Sequence, residues 1–253
     1  MGQSRFAGEG IKMVVLARKN GFRALCTGMI LIMSVHGAGA SFPPFEQSTA
    51  VERVEKAADV IIALMDNPDA EIPESLLRKA AAIAVFPGVI KAAYGIGGQY
   101  GEGIVMVRQG GVRWSDPFFV TLVGGSVGWQ IGVQKADIVL VFMGRNSIKD
   151  ISEGKITLGA DVSVTAGPVG RRAEVSTDLE LEGEIYSYSQ SKGLFAGVSL
   201  SGASIRIDRD ANSAFYGESG ITVDEILEPD RSDETEAVRK LKAILAELIT
   251  ISI

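Results

Sequence analysis

Beyond its first forty residues this chain has neither histidine nor cysteine; His36 and Cys26 are the only ones. Without them, the segment from Ser41 onward cannot build an imidazole or thiolate zinc site, a thiol nucleophile or a His-based triad. It also cannot form an internal disulfide, so its stability must come from core burial. Aromatic residues make up 7% of the chain, which gives no sign of a surface for stacking nucleic-acid bases. Long repeats and low-complexity tracts are also missing. The composition is that of a binder more than of a catalyst.

The first forty residues hold Arg5, Lys12, Arg18, Lys19 and Arg23 against a single Glu9. The apolar run 25–35 follows, and then Ala38-Gly39-Ala40 before Ser41. A positive flank, a short apolar stretch and small residues at −3 and −1 predict a signal peptide over 1–40. The run falls short of the roughly 20 residues that a membrane span needs. The expectation is an exported protein, periplasmic or extracellular, associating peripherally with a membrane. Met13 is an alternative start, because the remaining basic residues still supply the flank. Removing five basic residues and one acid from the chain's 25 and 31 leaves 20 and 30, a net charge of −10 over 213 residues. That balance argues against a nucleic-acid partner and against diffuse attraction to an acidic membrane. Any contact with head groups must therefore come from a local patch.

Residues 41–47 read as a linker. Thr49 and Glu52 have capping-box spacing, and Val51, Val54, Ala58, Ile61, Ile62 and Met65 recur at helical period. This predicts an amphipathic helix over 51–65. A second helix is expected from Pro73 to about Ala84. From there the period changes to two, and residues 86–217 hold 22 of the chain's 30 glycines. Val127, Trp129, Ile131 and Val133 alternate with small or polar residues, while Ile138–Phe142 reads as a strand buried on both faces. Leu194, Ala196, Val198 and Leu200 lead through Ser201-Gly202 into Ala203, Ile205 and Ile207, a hairpin signal. A short helix is expected over 146–153, and a closing amphipathic helix, capped by Ser232, over 232–248. The fold class expected is α+β: an antiparallel β-rich core, sandwich or barrel-like, with amphipathic helices at both ends. The module is expected over 48–228, with the helix of 229–253 packed on it.

The glycine-rich segment 95–103 fails as a phosphate loop. A dinucleotide fingerprint from Gly95 would put its third glycine at Tyr100. Tight turns or close strand contacts explain these glycines better. Glu102, Asp116, Asp137, Asp161, Glu174 and Asp178 lie in the β module, but nothing in their spacing sets two across a substrate. Asp208, Asp210 and Asn212 match the first three ligand positions of a calcium loop, yet Ser219 stands where a bidentate glutamate belongs. A turn with a helix cap at Asn212 is the competing explanation. No cofactor is implied.

Trp114-Ser115-Asp116-Pro117, Val127-Gly128-Trp129-Gln130-Ile131-Gly132, KITLGAD at 155–161, AGPVGR at 166–171, YSYSQSKGLFAGVSLS at 186–201 and Phe215-Tyr216-Gly217 resemble the SYLF domain in order and spacing. The resemblance runs from about Thr49 to Leu227. It implies a non-catalytic domain. Eukaryotic members of the family bind phosphoinositides and other acidic lipids, and fungal members also bind and bundle actin. Membrane binding in the family is attributed to an amphipathic helix at the domain's N-terminal end, which matches 51–65 here. The expected lipid-contact residues are Val51, Arg53, Val54, Lys56, Ile61 and Ile62 on that helix. Lys91, Arg108, Arg113, Arg171, Arg172 and Lys192, basic residues in turns or at strand ends, complete the set. The expected partner is a phospholipid or membrane surface, with a protein partner as the alternative.

Overall fold

The computed structural model describes residues 48–65, 72–168, 183–191, 194–197, 200, 202–228 and 234–250. Among these are six helices and eight strands. Helix α1 (Ala50–Met65) begins at the capping box expected of it. The Glu52 N–H donates to Thr49 Oγ1 at 3.3 Å, and the Thr49 N–H donates to Glu52 Oε2 at 3.0 Å. Helix α2 (Glu74–Lys79) is short. Strand β1 (Ala82–Gly110) then runs for 29 residues and β3 (Phe118–Phe142) for 25, with the two-residue β2 (Arg113–Trp114) between them. After β3 come α3 (Asn146–Ser152), β4 (Lys155–Thr157), β5 (Val164–Ala166), β6 (Ile185–Ser191), β7 (Leu194–Gly197) and β8 (Ala203–Ile207). Helices α4 (Arg209–Tyr216), α5 (Val223–Ile226) and α6 (Glu236–Thr250) close the fold.

β1 and β3 form one long antiparallel ribbon, from Ala82↔Phe142 to Val105↔Phe118. β3 takes β8 along its first stretch and β6 along its last. β6 also carries β7 and, in parallel, β5; β8 carries β4. The ribbon curls until the first leg of β1 lies across its second: the Arg108 N–H donates to Ala81 O at 2.8 Å. Two glycines make this crossing possible. A Cβ on Gly103 would collide with the Val85 carbonyl oxygen and the Phe86 ring, and one on Gly101 would stand 2.6 Å from Val89 Cγ2. The glycines of 95–103 thus serve close strand approach at these two positions.

Strand alternation feeds two cores. Ile83, Val85, Ile104, Met106, Val139 and Val141 pack under α1, α2 and α6, while Ala84, Phe86, Val105, Ile138, Leu140 and Phe142 fill the inside of the curl. The run Ile138–Phe142 is buried on both faces, as its unbroken apolar character implies. Helix α1 contributes Val54, Ala57, Ala58, Ile61 and Leu64 to the first core. Burial of its larger aliphatic side chains contributes about 1.5–3 kcal/mol each.

Three local expectations differ from the fold. The helix expected from Pro73 to Ala84 stops at Lys79, because Ala82–Val85 pairs with Val139–Phe142, and that pairing outweighs the alanines' helical preference. The hairpin expected at Ser201-Gly202 is not formed among the described residues. The Ala203 N–H does close a turn onto Leu200 O at 3.0 Å, but β7 pairs with β6 while β8 pairs with β3 and β4. The last helix begins at Glu236, where Thr235 Oγ1 accepts the Val238 N–H; Ser232 lies outside the described residues.

Candidate functional site

The turn between β1 and β2 gathers most of the interest. Gly110 (φ +137°) and Gly111 (φ +55°) reverse the chain, and Val112, 44% exposed, sits at the turn beside the exposed Arg113. Both glycines occupy backbone conformations that other residues resist. Behind the turn, one guanidinium ties three segments together. Arg108 donates through Nε to Ala80 O at 2.8 Å, through Nη1 to Gly111 O at 2.8 Å and through Nη2 to Leu77 O. It also lies 4.7 Å from the centre of the Trp114 ring, in cation–π geometry. The last turn of α2, with the exposed Arg78 and Lys79, is therefore held against the turn. From the other side Arg145 Nη2 donates to the Arg108 carbonyl at 2.6 Å.

Arg78, Lys79, Arg108, Arg113 and Arg145 thus share one end of the described fold. Burial lowers the pKa of Arg108, which donates to three backbone carbonyls and lies against the Trp114 ring. Two nearby carboxylates, Asp116 and Glu234, are paired, while Glu228 is exposed. Lys242 Nζ bridges Asp116 at 2.8 Å and Glu234 at 2.9 Å; burial opposes its charge, but these bonds raise its pKa overall. Glu184 accepts the Ser163 N–H, and the exposed Glu228 follows Leu227, whose carbonyl receives Gln109 Nε2.

A second cluster fixes α1. Arg53, 5% exposed, bridges Asp208 Oδ2 at 2.6 Å and Glu102 Oε2 at 3.1 Å. Glu102 also accepts from Ser48 Oγ at 3.0 Å and from Tyr100 Oη at 3.2 Å. Burial first, and then Glu102, raise the Tyr100 pKa. Asp208 caps α4 by accepting the Ala211 N–H at 3.1 Å. Asn212, rather than capping, lies buried and reads the β3 backbone: Phe119 N–H donates to its Oδ1 at 2.9 Å, and its Nδ2 donates to Phe119 O at 3.0 Å. The calcium-like spacing therefore serves a cap, an ion pair and a latch. Two motifs set far apart in sequence meet beside it, where Tyr216 Oη donates to Pro117 O at 2.6 Å and the Phe215 ring packs, tilted by 54°, with its centre 5.0 Å from that of Phe119.

Of the expected contact residues, Arg108 and Arg113 come together at the turn, although Arg108 spends its hydrogen bonds on the protein's own carbonyls. Lys91 pairs with Gln134 at the opposite end of the β1 legs, where burial lowers its pKa. On α1, Val54, Ile61 and Arg53 are buried, Ile62 is half-buried, and Val51 and Lys56 are exposed. The helix's apolar face is thus turned into the first core. Arg171, Arg172 and Lys192 lie outside the described residues. Sequence reasoning misses Arg78 and Lys79, brought near by the reach of Arg108 back to α2, and Arg145, brought near by its own bond to the Arg108 carbonyl.

These features define an α+β domain with a curled sheet, a helix-covered face and a cationic end. Residues 123–248 match the family model Ysc84, described as Las17-binding protein actin regulator, and the chain belongs to this family, that of the SYLF domain. It is 38% identical over 173 residues to protein YSC84 of Saccharomyces cerevisiae, which covers 65% of this chain and 37% of that protein. It is 34% identical over 188 residues to SH3 domain-containing YSC84-like protein 1 of Xenopus laevis, covering 72% of this chain and 56% of that one. The human protein of that name is 31% identical over 175 residues, 67% of this chain and 51% of its own. The chain therefore spans between about a third and somewhat over half the length of these relatives. The family description is that of a binding protein and actin regulator, and none of these relatives is named as an enzyme.

Proposed function

We propose that this protein is a non-enzymatic module that binds acidic phospholipid surfaces, working as an exported protein at the cell envelope. The observation that supports it is the cationic end at the β1–β2 turn, in a chain whose segment beyond residue 40 carries a net charge of −10. A local patch of that kind binds anionic head groups with about 1 kcal/mol per basic residue near the surface. Every core residue among the described residues lies between Val54 and Ile249, so residues 41–253 retain that core for testing. Co-sedimentation with vesicles checks the reading. Phosphatidylglycerol or cardiolipin vesicles should bind the protein, more weakly as salt rises, and phosphatidylcholine vesicles should not. Equal recovery in the supernatant from all of them would refute it.

A second reading is a protein-interaction module, favoured by relatives such as LAS seventeen-binding protein 3 of Saccharomyces cerevisiae, 35% identical over 173 residues. Capture of an acidic protein at the same cationic end, with no vesicle binding, would select it.

A further inference from the structure

We infer that the element of this chain that enters an acidic bilayer is the β1–β2 turn, with Val112 inserted and Arg78, Lys79, Arg113 and Arg145 at the head groups, while α1 stays packed. This rests on the membrane reading above and adds the mode and orientation of contact.

Helix α1 has the composition of an inserting helix, but most of its apolar side chains are already used, with Val51 exposed and Ile62 half-buried. Val54, Ala57, Ala58, Ile61 and Leu64 are each at most 3% exposed. Arg53, in the same helix, is clamped between two carboxylates drawn from β1 and from the start of α4. Turning that face to lipid would expose the first core and break a buried ion pair together.

The turn needs no such opening. Val112 is one of three large apolar side chains exposed among the described residues, with Val51 and Val133. Of these it alone sits at a turn flanked by glycines, with the cations gathered around it. A Cβ at Gly110 or Gly111 would meet nothing within 4 Å, so the turn stands clear of the rest of the fold. The base is rigid where the tip is open. Arg108 pins it to α2 by two carbonyls, Trp114 packs against Arg108 and is 4% exposed, and Ser115 Oγ receives the Val107 N–H at 2.9 Å. A held hairpin with an apolar tip and a ring of cations offers little area but little ordering cost, so the charges must supply most of the binding. Lys242 and Arg239 together balance Asp116 and Glu234, which leaves the exposed Glu228 as a carboxylate that opposes the cations at this end.

The test compares variants of residues 41–253 on phosphatidylglycerol vesicles at moderate salt. Arg113→Gln with Arg145→Gln should weaken partitioning roughly 25-fold, about fivefold for each lost cation. Val112→Asp should weaken it further than a single Arg113→Gln does. Lys155→Gln, an exposed cation on β4, should leave it unchanged, and thermal melting should stay as in the parent for all four substitutions. If the parent protein binds and the turn variants bind equally well, the inference is overturned while the lipid reading stands. If the parent protein binds no acidic vesicle, both fall. If Lys155→Gln weakens binding as much as Arg113→Gln, diffuse charge rather than the turn is responsible, and the inference is again overturned.

Discussion

Replacing Arg53 with methionine tests the first core most sharply. The side chain is 6% exposed, and its two partners, Glu102 and Asp208, are 7% and 16% exposed. Methionine retains much of the aliphatic stem but leaves two carboxylates facing each other without a cation. Removing one partner of a buried ion pair costs about 3–5 kcal/mol, against about 0–1 for a surface pair. In a domain of this size each kcal/mol lowers the melting temperature by roughly 2–4 °C, so the loss should be about 6–20 °C. Glu102→Gln should cost less, because Asp208 still pairs with Arg53 while the amide oxygen can accept from Ser48 and Tyr100. Combining Arg53→Met with Glu102→Gln and Asp208→Asn should recover part of the loss, since no charge then remains buried. Circular dichroism melts of the single and combined variants read all of this. A drop below about 2 °C for Arg53→Met would show that the cluster behaves as a surface pair and would refute the reasoning.

Asn212→Ala should destabilise the fold by about 1–3 kcal/mol in urea titration, because it strips the partner from the buried Phe119 N–H. Gly103→Ala should cost about 1–3 kcal/mol or more, because the added methyl must displace the Val85 backbone, whereas Gly111→Ala should cost only the smaller penalty of a positive φ in open space. Alkaline pH should weaken the native state. Tyr100 and Tyr188 both have pKa values raised above 10, chiefly by burial, so unfolded chains release those protons first. Stability from these groups is complete below pH 10 and falls as pH climbs above it; Tyr100→Phe should flatten the decline of melting temperature between pH 9 and 11.

How much of this was legible in the sequence varied with the range of the interaction. Thr49, Glu52 and the 3.6-residue period of 51–65 specify α1 locally, and they did so correctly. Ile138–Phe142 announced a strand buried on both faces because no polar residue interrupts it. The stretch 80–85 has the alanine content of a helix, and only pairing with residues nearly sixty positions away makes it β1. The candidate site shows the same limit. Arg108 and Arg113 stand out as basic residues beside a Gly-Gly turn. Arg78 and Lys79 join them because the Arg108 side chain spans from a strand to the end of α2, and Arg145 because its own side chain reaches the Arg108 carbonyl; neither contact has a local signature. The amphipathic pattern of α1 is equally suited to a bilayer or to a core, and the pattern alone cannot choose between them.

Residues 41–253 contain no cysteine, so a single one introduced at Val112 or at Val51 can carry an environment-sensitive fluorophore without competition. The decisive measurement is the emission of each labelled protein on phosphatidylglycerol vesicles. The account predicts a blue shift and quenching by lipid-borne quenchers at position 112, with position 51 unchanged. A shift at 51 with none at 112 would mean that α1 leaves the core to insert, and would contradict it.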